Sequence, residues 1–466
     1  MAYRYGDRNQ QTLLPTSIEE YVGREDPVRA YDAFIERIGI EELGIRYEPH
    51  KVGNTSYEPK AMLKLLVYGC SYGWHSSRKL ERALHHNVSF VWLVGGLKPD
   101  HKTISEFRRR NKEALSKVIK QCARVCLKLG MIEGNVLFLD GSKIRANASV
   151  DKSHSEEYYK KLDKRIEQEL EKADKVDEAE GEQGSYVRVK GLQEKIKKVL
   201  GELKDNNKTK SGKERKANIT DTDSRVTKKG QCYNVQSVVD EKHGLIINTE
   251  AESNAADINQ FAKQIKQAEK VINKKSEVAC ADAGYANTKE LAKIDKRGTK
   301  VVVPSRRQAL HEEEKPFSKS EFKYNKEEDC YYCPEGNRLK YKGVKEEGKI
   351  EYGIEKAQEC KNCKYFGICT DSKTGRRIIR LKQEELKEKL EKQYKQNQEI
   401  YVKRKELAER PFGHIKHNLG KRIFLLRGKK GVQAEISLAS TCFNVARMLT
   451  ILGGTRKFIE AMAMTG

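Results

Sequence analysis

Three acidic residues stand where the pattern of the chain would bring carboxylates together. Asp140 directly follows an apolar run at 136–139, and Asp282 follows a second one at 278–281. Both runs are typical of buried strands, so each Asp is expected at the carboxyl end of a strand. Glu409 lies in a charged helical segment that we expect to stop near Pro411. Two strand-end carboxylates and a helix carboxylate can share divalent cations.

These residue types indicate metal-assisted chemistry on phosphodiester bonds. Cleavage of such a bond requires charge neutralisation in the pentacovalent transition state and an activated hydroxyl. Two Mg²⁺ ions about 4 Å apart supply both effects. Mg²⁺ prefers hard oxygen ligands, which favours carboxylates over His or Cys. Turns also favour Asp in general, so the prediction depends on all three acidic residues occurring in this order.

Five of the eleven cysteines suggest a second, different metal site. Cys330 and Cys333 form one pair, and Cys360 and Cys363 form another. Thiolates select Zn²⁺ over Mg²⁺, and this spacing is compatible with a tetrahedral structural zinc site. Cys369 is a fifth candidate, and reduced thiols without a metal are the alternative. The other cysteines are expected to pack in the core: Cys70, Cys122, Cys126, Cys232, Cys280 and Cys442.

Positive charge marks the surface expected to bind a partner. The 466 residues include 92 Lys plus Arg against 68 Asp plus Glu, a net charge of +24 that attracts polyanions and argues against basic partners. Residues 401–431 contain ten Lys or Arg against two acidic residues, and residues 101–120 contain seven against two. Such clusters neutralise DNA phosphates, although a solvated helix face is the alternative. The residues predicted to bind double-stranded DNA are Lys416, Arg404, Lys405, Arg422, Arg427, Arg108, Arg109 and Arg110.

The same composition argues against a membrane protein. No apolar stretch approaches the roughly 18 to 20 residues that a spanning helix needs. Residues 1–11 are polar and lack the apolar core of a signal peptide. We therefore expect no membrane partner and a cytoplasmic, nucleoid-associated location.

The elements that must position these residues form an α/β pattern. Residues 1–130 are typical of a helical domain. Between 131 and 306 the order is strand, strand, strand, helix, strand, helix, strand, which matches a ribonuclease-H-like mixed-sheet core. Residues 307–371 form a small Cys-rich, zinc-ribbon-like insertion, and 372–466 complete the core with helices over 383–410 and 432–452.

An insertion interrupts the predicted core at 151–215. Its charges nearly cancel, and one apolar stripe carries Leu162, Ile166 and Leu170. A second stripe carries Leu192, Ile196, Val199 and Leu203, with a Gly-rich turn at 181–185 between them. This spacing predicts a helical hairpin, and a pair of solvated helices with no role in the chemistry is the alternative.

A short acidic segment at 221–225 leaves two interpretations open. Asp221, Asp223 and Arg225 lie before the strand expected at 233–239. They form either a turn with an internal ion pair or part of the surroundings of the metal site.

Several motifs together resemble a known family, the DDE transposases of bacterial insertion sequences, most closely the group numbered eleven-eighty-two. Residues 59–69, 76–81 and 99–108 resemble its N-terminal helical domain. Residues 140–144, 281–285 and 409–416 resemble its three catalytic motifs, and 220–225 with 233–236 resemble its central motif. Lys416 has the spacing of the family's downstream Lys, whereas Lys405 stands where the family has Arg and Arg404 is one position off.

The resemblance implies a function and a set of roles. Asp140, Asp282 and Glu409 would hold two catalytic Mg²⁺ ions. The enzyme would cut at the ends of a mobile DNA element and join the freed 3′ hydroxyl to a target. Its helical domain would contact the element ends, and a homodimer would hold two of them. The alternatives are a catalytically inactive DNA-binding regulator and a Mg²⁺-dependent endonuclease without strand transfer.

Overall fold

The computed structural model describes residues 17–45, 56–176, 183–205, 214–310, 316–346 and 348–465. It is a mixed α/β protein, about half helical. The chain divides into two compact units, one of Met1–Cys280 with Val402–Gly466 and one of Ala281–Tyr401. We call them the larger and the smaller unit. The four-part division at 130, 306 and 371 stays a prediction.

The larger unit begins with short helices, as its apolar spacing predicts. Pro59 occupies the first turn of α3 (Pro59–Ser71), where its missing N–H costs nothing. Asp100 caps α6 (His101–Arg110) by accepting the Thr103 N–H at 2.7 Å. The helices are α1 (Pro27–Arg37), α2 (Ile40–Leu43), α3 (Pro59–Ser71), α4 (Ser77–His86), α5 (Val88–Leu93), α6 (His101–Arg110), α7 (Lys112–Leu115) and α8 (Val118–Lys128).

A mixed sheet follows, built from apolar runs of strand-forming residues. In chain order the elements are β1 (Val136–Arg145), β2 (Ser153–His154), α9 (Glu156–Val176), α10 (Gln183–Asp205), β3 (Ala217–Asn218), β4 (Arg225–Thr227), β5 (Gly230–Asp240), β6 (Ile246–Glu252), α11 (Phe261–Ile272) and β7 (Val278–Cys280). Strand β1 pairs antiparallel with β5 and parallel with β7, and β4 and β6 pair with successive parts of β5. The predicted order of these strands and of α11 is confirmed.

One boundary in this sheet differs from the prediction. Asp140 does not end a strand but lies in the middle of β1, opposite Ser237 of β5. The strand continues to Arg145 because its backbone pairs with β5 as far as Cys232. The polar residues after the apolar run therefore lie on a fixed strand rather than on a turn.

Helices α9 and α10 pack together through their apolar stripes. Ile166 of α9 shares a buried cluster with Ile196, Val199 and Leu203 of α10. Leu192, predicted on the same stripe, is exposed. Part of the predicted turn at 181–185 lies outside the described residues, and α10 already begins at Gln183.

The last helices of the larger unit are α16 (Gln398–His417), α17 (Lys429–Leu452) and α18 (Thr455–Met464). The prediction that the helix stops near Pro411 is wrong, because α16 continues through it. Proline removes one helical hydrogen bond, a cost of about 3 kcal/mol. Burial of Pro411 together with Ala408, Phe412 and Ile415 offsets this cost by packing one face of α16 into the core.

Helix α17 covers the outer edge of β6 with amide side chains. Gln433 accepts the Ala251 N–H and donates to the Thr249 carbonyl, both at 2.8 Å. Asn444 accepts the Ile246 N–H at 2.9 Å and donates to the Ile246 carbonyl at 2.8 Å. These contacts supply β6 with hydrogen bonds that another strand would otherwise make.

The smaller unit contains an antiparallel sheet of five strands, in the order β13 (Arg377–Leu381), β12 (Lys349–Ile354), β11 (Arg338–Glu346), β10 (Cys330–Tyr332) and β9 (Lys323–Asn325). Its core contains Phe322, Tyr331, Leu339, Tyr352, Ile354 and Ile378. The sheet ends at Leu381, beyond the predicted boundary at 371. The elements are α12 (Thr288–Asp295), β8 (Lys300–Val302), α13 (Arg306–Ala309), β9 (Lys323–Asn325), β10 (Cys330–Tyr332), β11 (Arg338–Glu346), β12 (Lys349–Ile354), α14 (Ala357–Lys361), β13 (Arg377–Leu381) and α15 (Glu384–Gln396).

By length and composition, no single helix within the described ranges could cross a membrane. Helices α17 and α18 pass that test only as a pair, bent by 103°.

Candidate active site

Strand β1 and helix α16 bring together a polar cluster in the larger unit. Asp140 and Ser142 are alternate residues of β1 and share one face of the strand. Helix α16 supplies Arg404, Glu409 and Lys416. We call these five residues the β1/α16 cluster.

Arg404 lies between two of the three predicted catalytic carboxylates. Its Nη1 is 3.5 Å from Oδ1 of Asp140, and its Nη2 is 3.4 Å from Oε1 of Glu409. The side chains of Arg404 and Asp140 are largely buried, whereas that of Glu409 is half exposed. A position between two carboxylates, open on one side, suits a cation.

Lys416 extends the cluster along β1. Residues seven apart on a helix lie on nearly the same face, so Lys416 follows Glu409 two turns later. Its Nζ donates to Oγ of Ser142 at 2.5 Å. Burial lowers the pKa of Lys416, Lys229 lowers it further, and the charge of Asp140 opposes both. The cluster therefore holds a cation that is only partly hydrated.

Asp282, the third predicted carboxylate, belongs to the smaller unit. It precedes a single 3₁₀ turn at Ala283–Tyr285 and accepts the Gly284 N–H at 2.8 Å. Across the described part of the chain, no three His, Cys, Asp or Glu side chains form a group that could hold a metal ion. The complete triad stays a prediction.

The acidic segment at 221–225 contacts a buried tyrosine and the start of a helix. Asp221 accepts the Tyr233 hydroxyl at 2.6 Å and the Gly428 N–H at 3.3 Å. Asp223 accepts the Lys429 N–H at 2.7 Å. Burial raises the pKa of Asp221, which its two hydrogen bonds partly oppose. Both carboxylates thus bind the start of α17. This favours the turn interpretation, with contacts of Arg225 to two backbone carbonyls of the turn in place of the predicted ion pair.

Sequence reasoning missed an acidic residue held by the central motif. Asn234 and Gln236 of β5 each donate to Oδ1 of Asp257 at 2.7 Å. Lys143 of β1 lies 3.5 Å from the other oxygen of that carboxylate. The signal was available, since polar residues two apart in a buried strand share a face and need a common partner.

The predicted DNA-binding arginines of α6 have two different environments. Arg108 was predicted to bind DNA, but it is buried and donates to the His75 carbonyl at 2.8 Å. It therefore holds the fold together and is not free to meet a phosphate. Arg109 and Arg110 are exposed and both pair with Glu106.

The basic C-terminal stretch also separates into two sets. Lys421, Lys429 and Lys430 pair with acidic residues of the chain. Lys405, Arg422 and Arg427 are exposed. Arg422 contacts His417 and the Lys416 carbonyl, and Arg427 donates to the Asn147 carbonyl.

An open groove of about 400 Å³ lies in the larger unit. Four basic side chains line it, and none of the lining residues is acidic. They are Arg145, Lys152, Lys229 and Arg427, of which only Arg427 was predicted. Arg145 and Lys152 lie seven residues apart and Lys229 comes much later in the chain, so no basic run in the sequence marks the three together.

Four of the five cysteines of the smaller unit line one cavity, and the predicted zinc site stays a prediction. Cys333, Cys360 and Cys363 line one cavity together with Cys369, but Cys330 does not line it. Burial raises the pKa of Cys369, and the nearby thiols of Cys360, Cys333 and Cys363 add to this effect while Arg376 opposes it.

Two family models match the chain. One describes a transposase DDE domain and matches residues 332–449, which include Arg404, Glu409 and Lys416. The other describes a transposase domain (DUF772) and matches residues 16–110. A search of curated proteins finds no match.

A search of solved structures finds a piggyBac transposase synaptic complex with hairpin DNA, determined by cryo-EM. The two chains are 8% identical, with a TM-score of 0.32. The similarity covers 95% of this chain and 80% of that one. A TM-score of this size is too low to establish a shared fold.

Proposed function

Since its two family matches identify the chain as an insertion-sequence DDE transposase, we propose that it hydrolyses phosphodiester bonds at the ends of a mobile DNA element. It then joins the freed 3′ hydroxyl to a target. Water is the nucleophile in the first reaction, and the 3′ hydroxyl takes its place in the second. The observation that carries the proposal is the contact of Arg404 with both Asp140 and Glu409.

Asp140, Asp282 and Glu409 would hold two Mg²⁺ ions. The donor set fits, because carboxylate oxygens are the ligands that Mg²⁺ prefers and Arg404 already marks a position between two of them that suits a cation. Asp282 is included because β1 and β7 run parallel with Phe138 opposite Cys280, and each Asp lies two residues beyond that pair. When bound, the ions supply charge neutralisation and an activated oxygen.

The chain's own cations would complete the site. Arg404 neutralises Asp140 and Glu409 before a metal binds, and its planar guanidinium can then turn two N–H groups toward a phosphate. Lys416, fixed by Ser142, adds a point charge beside Asp140. Both residues would hold the scissile strand in place.

Binding of double-stranded DNA would use the exposed basic residues around this cluster. The groove of Arg145, Lys152, Lys229 and Arg427 offers a path for a phosphate backbone. Affinity from such contacts falls steeply with salt and carries little sequence information. The N-terminal helices would contact the element ends, with Arg109 and Arg110 on their surface, and a homodimer would hold two ends.

We also propose that the larger sheet belongs to a ribonuclease-H-like core. The pairing of β6 with β5, β5 with β1 and β1 with β7, with α11 between β6 and β7, supports this assignment. Membership of the group numbered eleven-eighty-two rests on the motifs alone.

The test is a nicking and joining assay on DNA that carries the element ends, with Mg²⁺. Short inverted repeats flanking the coding region would supply these ends. Asp140→Asn, Asp282→Asn and Glu409→Gln should each lower cleavage about a thousandfold, since each removes a metal ligand worth several kcal/mol. DNA binding should remain.

Glu406→Gln is the matched control on the same helix. Glu406 is exposed and pairs with Arg410 at 2.8 Å, away from the cluster, so this variant should cut like the wild type. Nicks without joined products would indicate an endonuclease, and DNA binding without nicks an inactive regulator. Wild-type cleavage by any one of the three variants would remove that residue from the triad.

A further inference from the structure

Four cysteines of the smaller unit line one cavity that is partly open to solvent. They are Cys333, Cys360, Cys363 and Cys369, and the cavity has a volume of about 30 Å³. The rest of the lining is mainly aromatic and aliphatic, with Phe317 and Phe322 among it. Such apolar surroundings favour soft ligands over hydrated ones.

We propose that these four thiols form a tetrahedral Zn²⁺ site and that Cys330 is not a ligand. The proposal replaces the pairing that sequence spacing suggests, in which Cys330 and Cys333 act together. It does not depend on the proposed catalytic activity, because the carboxylates would bind Mg²⁺ for catalysis whereas these thiols would bind Zn²⁺ to stabilise the fold.

Two tight turns, one after Cys333 and one after Cys360, resemble the turns that hold metal ions through cysteine sulfurs. The Asn337 N–H points at Sγ of Cys333 at 3.3 Å, and the Arg376 N–H points at Sγ of Cys360 at 3.4 Å. Backbone N–H groups aimed at sulfur stabilise the thiolate form. Turn bonds from Gly336 N–H to the Cys333 carbonyl at 2.8 Å and from Cys363 N–H to the Cys360 carbonyl at 3.2 Å close the two turns.

Gly375 keeps this arrangement possible. Its φ is +79°, and a Cβ there would lie 2.3 Å from Cγ2 of Ile354 and 3.3 Å from Sγ of Cys360. Only glycine fits both the backbone conformation and the close approach to the sulfur. The segment that carries Arg376 can therefore lie directly against Cys360.

The strand geometry excludes Cys330. Tyr331 faces the core against which Cys333, Cys360 and Cys369 pack. Successive residues of a strand point to opposite sides, so Cys330 points away from that core. Its Sγ lies 3.8 Å from Oε2 of Glu328 instead.

Charge and proton balance are consistent with a zinc tetrathiolate. Binding of Zn²⁺ to four thiols releases four protons and leaves a complex with two negative charges. Arg376 lines the cavity and donates to the carbonyls of Cys369 and Phe317, both at 2.8 Å, so one positive charge is already fixed beside it. No three of the described thiols group closely enough to hold an ion as they stand, so the proposal requires the sulfurs to move closer together when the ion binds.

The test is the zinc content of the purified full-length protein, measured by elemental analysis after dialysis. The wild type should carry about one Zn²⁺ per chain, as a four-coordinate structural site does. Cys330→Ser should keep it, and Cys369→Ser should lose most of it. Loss of zinc from Cys330→Ser with retention in Cys369→Ser would overturn the proposal, and so would a wild type without zinc.

A third variant separates ligand loss from misfolding. Cys369→His offers nitrogen in place of sulfur, and a Cys₃His site still binds zinc, so zinc content should return. Reconstitution of the wild type with Co²⁺ should give a tetrahedral thiolate spectrum that weakens in Cys369→His and not in Cys330→Ser. An unchanged spectrum in Cys369→His would contradict the assignment of Cys369.

Discussion

Two pairs of acidic residues in the larger unit are held by different kinds of partner. Asp221 and Asp223 bind a tyrosine hydroxyl and the backbone N–H groups that start α17. Asp140 and Glu409 contact the side-chain cation of Arg404. A backbone N–H cannot leave its partner without unfolding, whereas a side chain can turn away and be exchanged for another cation. The type of partner therefore separates a carboxylate that supports the fold from one that can bind a ligand.

Among the variants that test this difference between the two pairs, Arg404→Ala is expected to have the largest effect, and the effect is on DNA cleavage. Cleavage should fall about a hundredfold, the usual cost of removing one preorganised charge from a transition state. In the absence of DNA, Mg²⁺ should raise the melting temperature of this variant more than that of the wild type, because the competing cation is gone. A nicking assay and thermal melts with and without Mg²⁺ measure both effects.

Lys405→Ala is the control for that variant. Lys405 stands at the position where related transposases carry Arg, but it is exposed here. Its loss should weaken DNA binding slightly and be overcome at higher DNA concentration. Equal losses of cleavage in the two variants would mean that the contact of Arg404 with the carboxylates has no special role.

Asp221→Ala should act on stability instead. It removes the acceptor for the buried Tyr233 hydroxyl and for the Gly428 N–H, which should cost about 2 kcal/mol of unfolding free energy. Denaturant unfolding measures the change. Cleavage per folded molecule should stay near the wild-type value, and a loss of cleavage without a loss of stability would place Asp221 in the site.

Asp223→Ala should have a smaller effect of the same kind. Its carboxylate accepts one N–H, that of Lys429 at the first turn of α17. Losing such a cap costs about 1 kcal/mol. Asp223→Asn should recover most of that stability, and a variant equally unstable with Asn would show that the charge of Asp223 matters more than its hydrogen bond.

Asp221→Asn should give the smallest effect and reveal the buried charge. Burial raises the pKa of Asp221 above its ordinary 3.8, so the protonated form is favoured by folding. Its contribution to stability is therefore present below that value and is lost as the pH rises through the raised pKa. The variant should gain stability relative to the wild type as the pH rises above about 3.8 and through that raised pKa. A difference that does not change with pH would mean that Asp221 is not buried as a charge.

The sequence predicts those features that repeat with a regular period. Alternating and continuous apolar runs locate β5 and β6, and stripes at helical spacing predict the packing of α9 on α10. The features it misses depend on tertiary contacts. Pro411 stays inside α16 because its face is buried, and Arg108 is buried because a carbonyl of another segment accepts its N–H. Neither contact leaves a local signal.

The candidate site also depends on tertiary contacts that the sequence does not show. Asp140 and Glu409 could be chosen from their residue types and neighbours, but nothing in the sequence says that Arg404, rather than Lys405, would reach both carboxylates. The cysteine spacing also does not tell which sulfurs line the cavity, because alternation along β10 turns Cys330 away from Cys333. Which side chains meet depends on the face of the strand and the side of the helix on which each residue lies. A shift of one residue moves a side chain to the opposite face of a strand, or by about 100° around a helix.

The two amides of α17 that cover β6 have a consequence for self-association. An open strand edge is a template on which another chain can add a strand, by domain swapping or by aggregation. Gln433 and Asn444 occupy that edge with four hydrogen bonds. A second copy of the chain could extend the sheet there only by displacing both side chains, so protomers brought together on DNA are expected to meet through other surfaces.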